Sequence, residues 1–158
     1  MIMNNKIWLL IPLFLLSLNG MAQIVEKDGL YYTSNHTLYN GTHTEFYPSG
    51  VKKSTIPFTS GKPDGESVEY YENGKVKEIR PYKEGKKHGT WITYNEYGVV
   101  TAEASYKDGV KHGKWLIYDD QGKLIRDMNY SDGKRSGLWT EYNSSGEVVS
   151  QRNYSEEQ

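Results

Sequence analysis

Glycines recur along this chain on a fixed lattice. Gly41, Gly65, Gly89, Gly113 and Gly137 stand 24 residues apart, as do Gly50, Gly74, Gly98, Gly122 and Gly146, and again Gly61, Gly85, Gly109 and Gly133. These series hold 14 of the 16 glycines, leaving only Gly20 and Gly29 outside. A fixed period of this size marks an array in which one small unit is repeated and stacked on its neighbours. The unit runs five times, from about Asn40 to the end of the 158-residue chain, with Glu157 standing where the fifth closing glycine is due.

Aromatic residues follow the same lattice. Five residues after each first-series glycine come Phe46, Tyr70, Tyr94, Tyr118 and Tyr142, and seventeen after it come Phe58, Tyr82, Tyr106, Tyr130 and Tyr154. Two after it, in the last three units, come Trp91, Trp115 and Trp139. Each unit splits into two short runs separated by turn chemistry. Thr90 to Tyr94 leads to a polar cluster closing on Gly98, and Val99 to Tyr106 leads to Asp108-Gly109. Glycine closing a three- or four-residue polar loop fits a type I turn with the glycine in the left-handed region. No run is long enough for a helical period. The expected fold is all-β, an elongated antiparallel meander of about five 24-residue β-hairpin repeats and some ten strands.

Successive strand residues point to opposite sides. Val100, Ala102, Ala104 and Tyr106 therefore share one face, as do Leu124, Arg126, Met128 and Tyr130. Thr101, Glu103 and Ser105 take the other, and Trp91 with Thr93 lies opposite Ile92 with Tyr94. Tyrosines of neighbouring units then line up in rows, each unit advancing the sheet by about 9.6 Å, or about 48 Å for five. Tyrosine suits such stacking because its ring is apolar while its hydroxyl stays wet. Pro57 and Pro81 occupy equivalent slots in second strands. Proline cannot donate to a ladder, so a bulge or broken pairing is expected there.

Residues 1–22 have the form of a secretory signal peptide. Lys6 precedes an apolar run from Ile7 to Leu16, and Gly20 and Ala22 are the small residues before a cut after Ala22. That run is short of the ~20 residues a spanning helix needs. Without cysteine, lipid attachment is excluded, as are disulfides and thiolate metal sites. The expected organisation is a leader (1–22), a leading strand around Leu30 to Thr33 within 23–39, and the array over 40–158. The processed protein would be periplasmic or secreted.

The recurring G-x-W-x-x-Y-x-x-x-G, with a later Y-x-x-G, resembles the MORN-repeat family in its bacterial variant form, often grouped with the YwqK-type antitoxins of toxin–antitoxin systems. The likeness covers about Asn40 to Tyr154. It implies a β-hairpin array that binds proteins or, in some eukaryotic members, membrane lipids. The chain departs from the pattern at His43 and Ser67, where tryptophan is due, and in its leader. A leader fits poorly with an inhibitor of a cytosolic toxin.

Catalytic groupings are not evident. His88 and His112 are equivalent residues about 9.6 Å apart, too far to share one zinc, and read as polar turn residues. His36 and His43 have no ligand-spaced partners. Ser49-x-x-Lys52 and Ser131-x-x-Lys134 fall in glycine turns rather than the helical setting that motif needs. Asp119-Asp120-Gln121-Gly122 lacks the later acids of a calcium loop, and no phosphate-cradling glycine loop exists. No enzyme activity, metal or cofactor is expected. The near-balanced charge, 19 basic against 20 acidic residues, gives no case for nucleic acid.

Two surface features remain. One edge carries Lys62, Lys83, Lys86, Lys87, Lys107, Lys111, Lys134 and Arg135 against Asp64, Glu84, Asp108 and Asp132. It reads either as a solvated edge that discourages aggregation or as a stripe for an acidic partner or anionic lipid. The Trp91, Trp115, Trp139 row reads either as a second small core or as a binding surface for a protein or a glycan. The expected function is an exported, non-enzymatic repeat scaffold that binds a protein partner. The alternatives are an antitoxin or immunity protein and an envelope glycan- or lipid-binding module.

Overall fold

The computed structural model describes residues 24–154. The expected leader, its cut after Ala22 and the Glu157 slot lie outside them. A short hairpin, β1 (Val25–Lys27) and β2 (Leu30–Tyr32), precedes the array. Then come β3 (Gly41–Phe46), β4 (Lys52–Thr59), β5 (Lys62–Pro63), β6 (Gly65–Tyr70), β7 (Val76–Lys83), β8 (Lys86–Lys87) and β9 (Gly89–Tyr94). The last five are β10 (Val100–Lys107), β11 (Val110–Tyr118), β12 (Leu124–Ser131), β13 (Lys134–Tyr142) and β14 (Val148–Asn153). From β3 to β14 they form one antiparallel sheet in chain order, with the short β5 and β8 paired beside β4 and β7. There is no helix among the described residues.

Two kinds of turn alternate. Between β9 and β10 the Asn95 N–H donates to the Val99 carbonyl at 2.9 Å, and Gly98 closes the loop at φ 88°. This is the glycine-closed loop expected from the polar clusters. The other turn is tighter. Asp108 (φ 50°) and Gly109 (φ 91°) alone connect β10 to β11. Two successive positive φ values define the turn whose twist matches that of its strands.

Strict alternation along the second strands fails at one place. Lys53, Lys77, Thr101, Ile125 and Val149 are each an extra residue in a bulge, where the register to the preceding strand shifts. Val100 therefore pairs with Tyr94, and Leu124 with Tyr118, on the face opposite that of Ala102–Tyr106 and Arg126–Tyr130. The periodicity alone could not show this, since a bulge inserts one residue and reverses the side of everything before it.

The prolines break pairing as expected. Opposite Pro57 the ladder jumps from Thr55–Val68 to Phe58–Pro63, and the Asp64 N–H donates to the Pro57 carbonyl at 3.0 Å. Pro81 does the same between Ile79–Ile92 and Tyr82–Lys87. Where Ser105 and Asn129 stand instead, β11 and β13 continue as single strands, although the register still shifts beside them.

Enclosure is slight. Among the described residues no side chain is less than 2% exposed, and only Tyr39, Phe58, Gly61, Ser67, Thr140 and Tyr154 are buried at all. Cohesion comes from contacts between adjacent units within one layer.

Candidate functional site

One face of the sheet carries a continuous ladder of rings. Trp91 and Trp115 both stand across from Ala104, whose small side chain leaves them room, and Trp115 also faces Met128. Each indole fits between two tyrosines. Ring centroids follow at 5.6 Å (Tyr82–Trp91), 5.2 Å (Trp91–Tyr106), 5.3 Å (Tyr106–Trp115), 5.2 Å (Trp115–Tyr130), 5.3 Å (Tyr130–Trp139) and 4.9 Å (Trp139–Tyr154). The tilted and edge-on arrangements suit the ring quadrupoles. Each indole N–H donates to a main-chain carbonyl of the preceding unit: Trp91 to Pro81 at 3.2 Å, Trp115 to Ser105 at 2.9 Å and Trp139 to Asn129 at 2.9 Å. The rows are thus not of tyrosine alone; tryptophan supplies every second rung.

Cations cover the rungs. Lys87 Nζ lies 4.2 Å from the Trp91 ring and 4.9 Å from Tyr106, and Lys111 Nζ lies 4.1 Å from Trp115 and 4.8 Å from Tyr130. The Arg135 guanidinium lies 4.9 Å from Trp139 and 5.3 Å from Tyr154, and also bonds the Tyr154 hydroxyl at 2.9 Å. The structure therefore joins the tryptophan row and three cations of the basic edge, Lys87, Lys111 and Arg135, into one surface. Lys86 and Lys134, next to these cations in sequence, are exposed and project to the other side of their strands.

The ladder stops short at its N-terminal end. Ser67 occupies the lattice position of Trp91, and a cavity of about 350 Å³ opens there between Phe58 and Tyr82. Tyr31, stacked on Phe58 at 4.7 Å, forms a further wall. Beside it Glu69 stands directly across from Glu78, a like-charge pair that Lys77 (2.7 Å from Glu69) and Arg80 (3.0 Å from Glu69 and bonded to Glu78) neutralise. Partial burial alone would raise the Glu69 carboxyl. The Lys77 hydrogen bond and the charges of Lys77, Arg80 and Lys53 outweigh it and hold Glu69 below the usual carboxylate value. The same network pushes Arg80 up, chiefly through Glu78. A second hollow of about 310 Å³ lies at the other end, lined by Arg126, Met128, Trp139, Glu141, Arg152 and Tyr154 among others.

The opposite face is quieter. Leu116 pairs with Asp127, and Glu103 accepts from the Tyr118 hydroxyl at 2.9 Å. Burial, that bond and the nearby carboxylates push the Tyr118 phenol up to about 12.

The histidines sit in a stapling position. Asn40 Oδ1 accepts from the Ser60 N–H at 2.8 Å and Asp64 Oδ1 from Glu84 at 3.4 Å. At the equivalent His112, Nδ1 accepts from Asp132 at 3.5 Å, and His88 Nδ1 lies 3.4 Å from the Asp108 carboxylate. In these four units the slot ties the start of a unit to the tight turn that closes the same unit. Among the described residues no group of three or more His, Asp or Glu is placed to hold a metal.

A family model described as a MORN repeat variant matches residues 39–59, 63–84, 87–108, 111–132 and 135–156. These segments cover more than half of the chain and coincide with the five hairpin units. No curated protein matches.

Proposed function

We propose that this chain, which belongs to the MORN repeat variant family, is an exported scaffold that docks a protein partner on the ring-bearing face of its sheet. Repeats of this family generally serve as non-catalytic binding modules. One observation carries the reading: the ladder of Trp91, Trp115 and Trp139 is packed ring against tilted ring with its tyrosines yet only half-buried, with no second layer over it among the described residues. A sheet ordinarily covers its apolar face with another element, and aromatic and arginine side chains dominate binding hot spots. Lys87, Lys111 and Arg135 add a row of positive charge that favours an acidic partner surface. Export is supported by the leader-like residues 1–22. A toxin would be one such partner, provided that it acts outside the cytoplasm.

The test places a photo-reactive residue at Met128, on the ladder face, or at Asp127, on the opposite one, in cells expressing the full chain. A single adduct from Met128, absent from Asp127 and lost in Lys87→Glu/Lys111→Glu, is expected. Equal labelling from both faces, or labelling indifferent to the charge reversal, overturns the proposal. N-terminal sequencing of the processed protein, expected to begin at Gln23, tests export separately.

A further inference from the structure

The gap in the ladder is shaped by the protein's own repeat. Trp91 lies between Tyr82 and Tyr106, with its N–H on the Pro81 carbonyl. One unit earlier, the same surroundings exist without the indole. Phe58 and Tyr82 are the flanking rings, and Ser67 takes the place of the tryptophan. The Pro57 carbonyl receives the Asp64 N–H, as Pro81 receives that of His88, leaving the lone pair that Pro81 gives to an indole.

Three features mark this as a built site rather than a defect. Ser67 is only 6% exposed, lines the cavity, and its hydroxyl has no hydrogen-bond partner. Arg80, directly across from Ser67, is fixed by Glu69 and Glu78, with its flat guanidinium already 5.5 Å from the Trp91 ring on one side and lining the cavity on the other. Pro63 stands where Lys87, Lys111 and Arg135 cover the other rungs, so the cavity wall is apolar there. At about 350 Å³ the space lies within the ordinary range for ligand pockets, about 300–1,000 Å³.

We infer that the gap between Phe58 and Tyr82 is a receptor for a tryptophan side chain of the protein partner, which enters as the missing rung. The inference rests on the docking role proposed above and names the anchor that role uses. A buried aromatic anchor filling a preformed pocket is the usual centre of a protein interface.

The test is an NMR titration of the isotopically labelled protein with N-acetyl-tryptophanamide, with N-acetyl-alaninamide as control. Saturable shifts are expected at the amides of Phe58, Ser67 and Arg80, with a Kd on the order of millimolar for so small a probe. Ser67→Trp fills the gap from within and should weaken binding at least about tenfold. Ser67→Leu fills it without demanding a new indole contact and should weaken binding likewise, so the result stands even where the larger residue disturbs folding. Shifts scattered over the sheet, or binding unchanged in both variants, overturn the inference. Free indole binding more than about tenfold tighter than the amide also overturns it, since the site would then serve a small molecule. If the Met128 adduct forms while N-acetyl-tryptophanamide does not bind, this inference falls and the scaffold reading stands.

Discussion

The indole N–H of Trp115 donates to the main-chain carbonyl of Ser105 at 2.9 Å, fastening one hairpin unit to the one before it. The same residue places its ring between Tyr106 and Tyr130. Bond and packing separate on mutation. Trp115→Phe keeps a ring but strands a carbonyl, costing about 1–2 kcal/mol. Trp115→Ala also removes the rung and costs about 3 kcal/mol. Urea unfolding of both variants measures the difference, and equal losses would show that the bond, not the stacking, holds adjacent units together.

Lys111 covers the rings of Trp115 and Tyr130. Lys111→Met keeps an aliphatic stem over the ladder and removes the charge, so stability should fall by about 0.5–1 kcal/mol. Lys134→Met, at an exposed position away from the rings, should change little. A larger effect at Lys134 than at Lys111 would contradict the cation–ring geometry.

Gly61 packs beneath the N-terminal hairpin. A methyl group there would come within 2.7 Å of the Tyr31 carbonyl oxygen and 2.8 Å of Leu38 Cδ2, at φ +72°. Gly74 has similar φ, +82°, and open space. Gly74→Ala should cost about 1 kcal/mol from backbone strain alone. Gly61→Ala should cost more and expose the Tyr31 amide, which donates to the Gly61 carbonyl at 2.8 Å. Hydrogen exchange at Tyr31 reads this directly.

Acid should loosen the polar cluster beside the ladder gap. Glu69 titrates below its ordinary value of 4.5 in the folded protein. Its contribution is therefore fully present above that value and is lost as pH falls through the lower folded one. Denaturation midpoints measured from neutral to acid pH should drop less steeply in Glu69→Gln than in the parent.

Alkali acts on the other face. Tyr118 holds its proton to about 12, against an ordinary 10.0. The unfolded chain releases that proton first, so stability declines as pH rises between those values. Tyrosinate absorbance should show late-titrating phenols, Tyr118 together with Tyr82 and Tyr106, which burial also raises, and Glu103→Gln should shift the Tyr118 component downward.

Much of this architecture was legible in the glycine lattice. The glycine series locate both turns of the first four units and the first turn of the fifth, and Pro57 and Pro81 fall where the ladder breaks. Which rings would meet was harder to read. Alternation assigns Trp91 and Tyr106 to faces of their own strands, but only the Ala104–Trp91 register places them on the same one. The bulge at Thr101 then reverses Val100. The cation cover over the ladder was hidden for the same reason, since Lys87 and Tyr106 are brought together by pairing across strands. The gap had a visible sign in Ser67 standing where tryptophan recurs. Its meaning needed Phe58, Tyr82 and Arg80 in place around it.

The bonds that fasten one unit to another reach just one unit along. Trp115 to Ser105 and Trp139 to Asn129 obey this rule, and so does the Tyr71 hydroxyl, which donates to the Tyr94 carbonyl at 2.7 Å. Cutting out or duplicating a whole 24-residue module therefore leaves each donor with an acceptor of the same kind. The recognition surface can lengthen or shorten in whole-module increments by in-frame duplication or deletion, without redesign of the modules that remain.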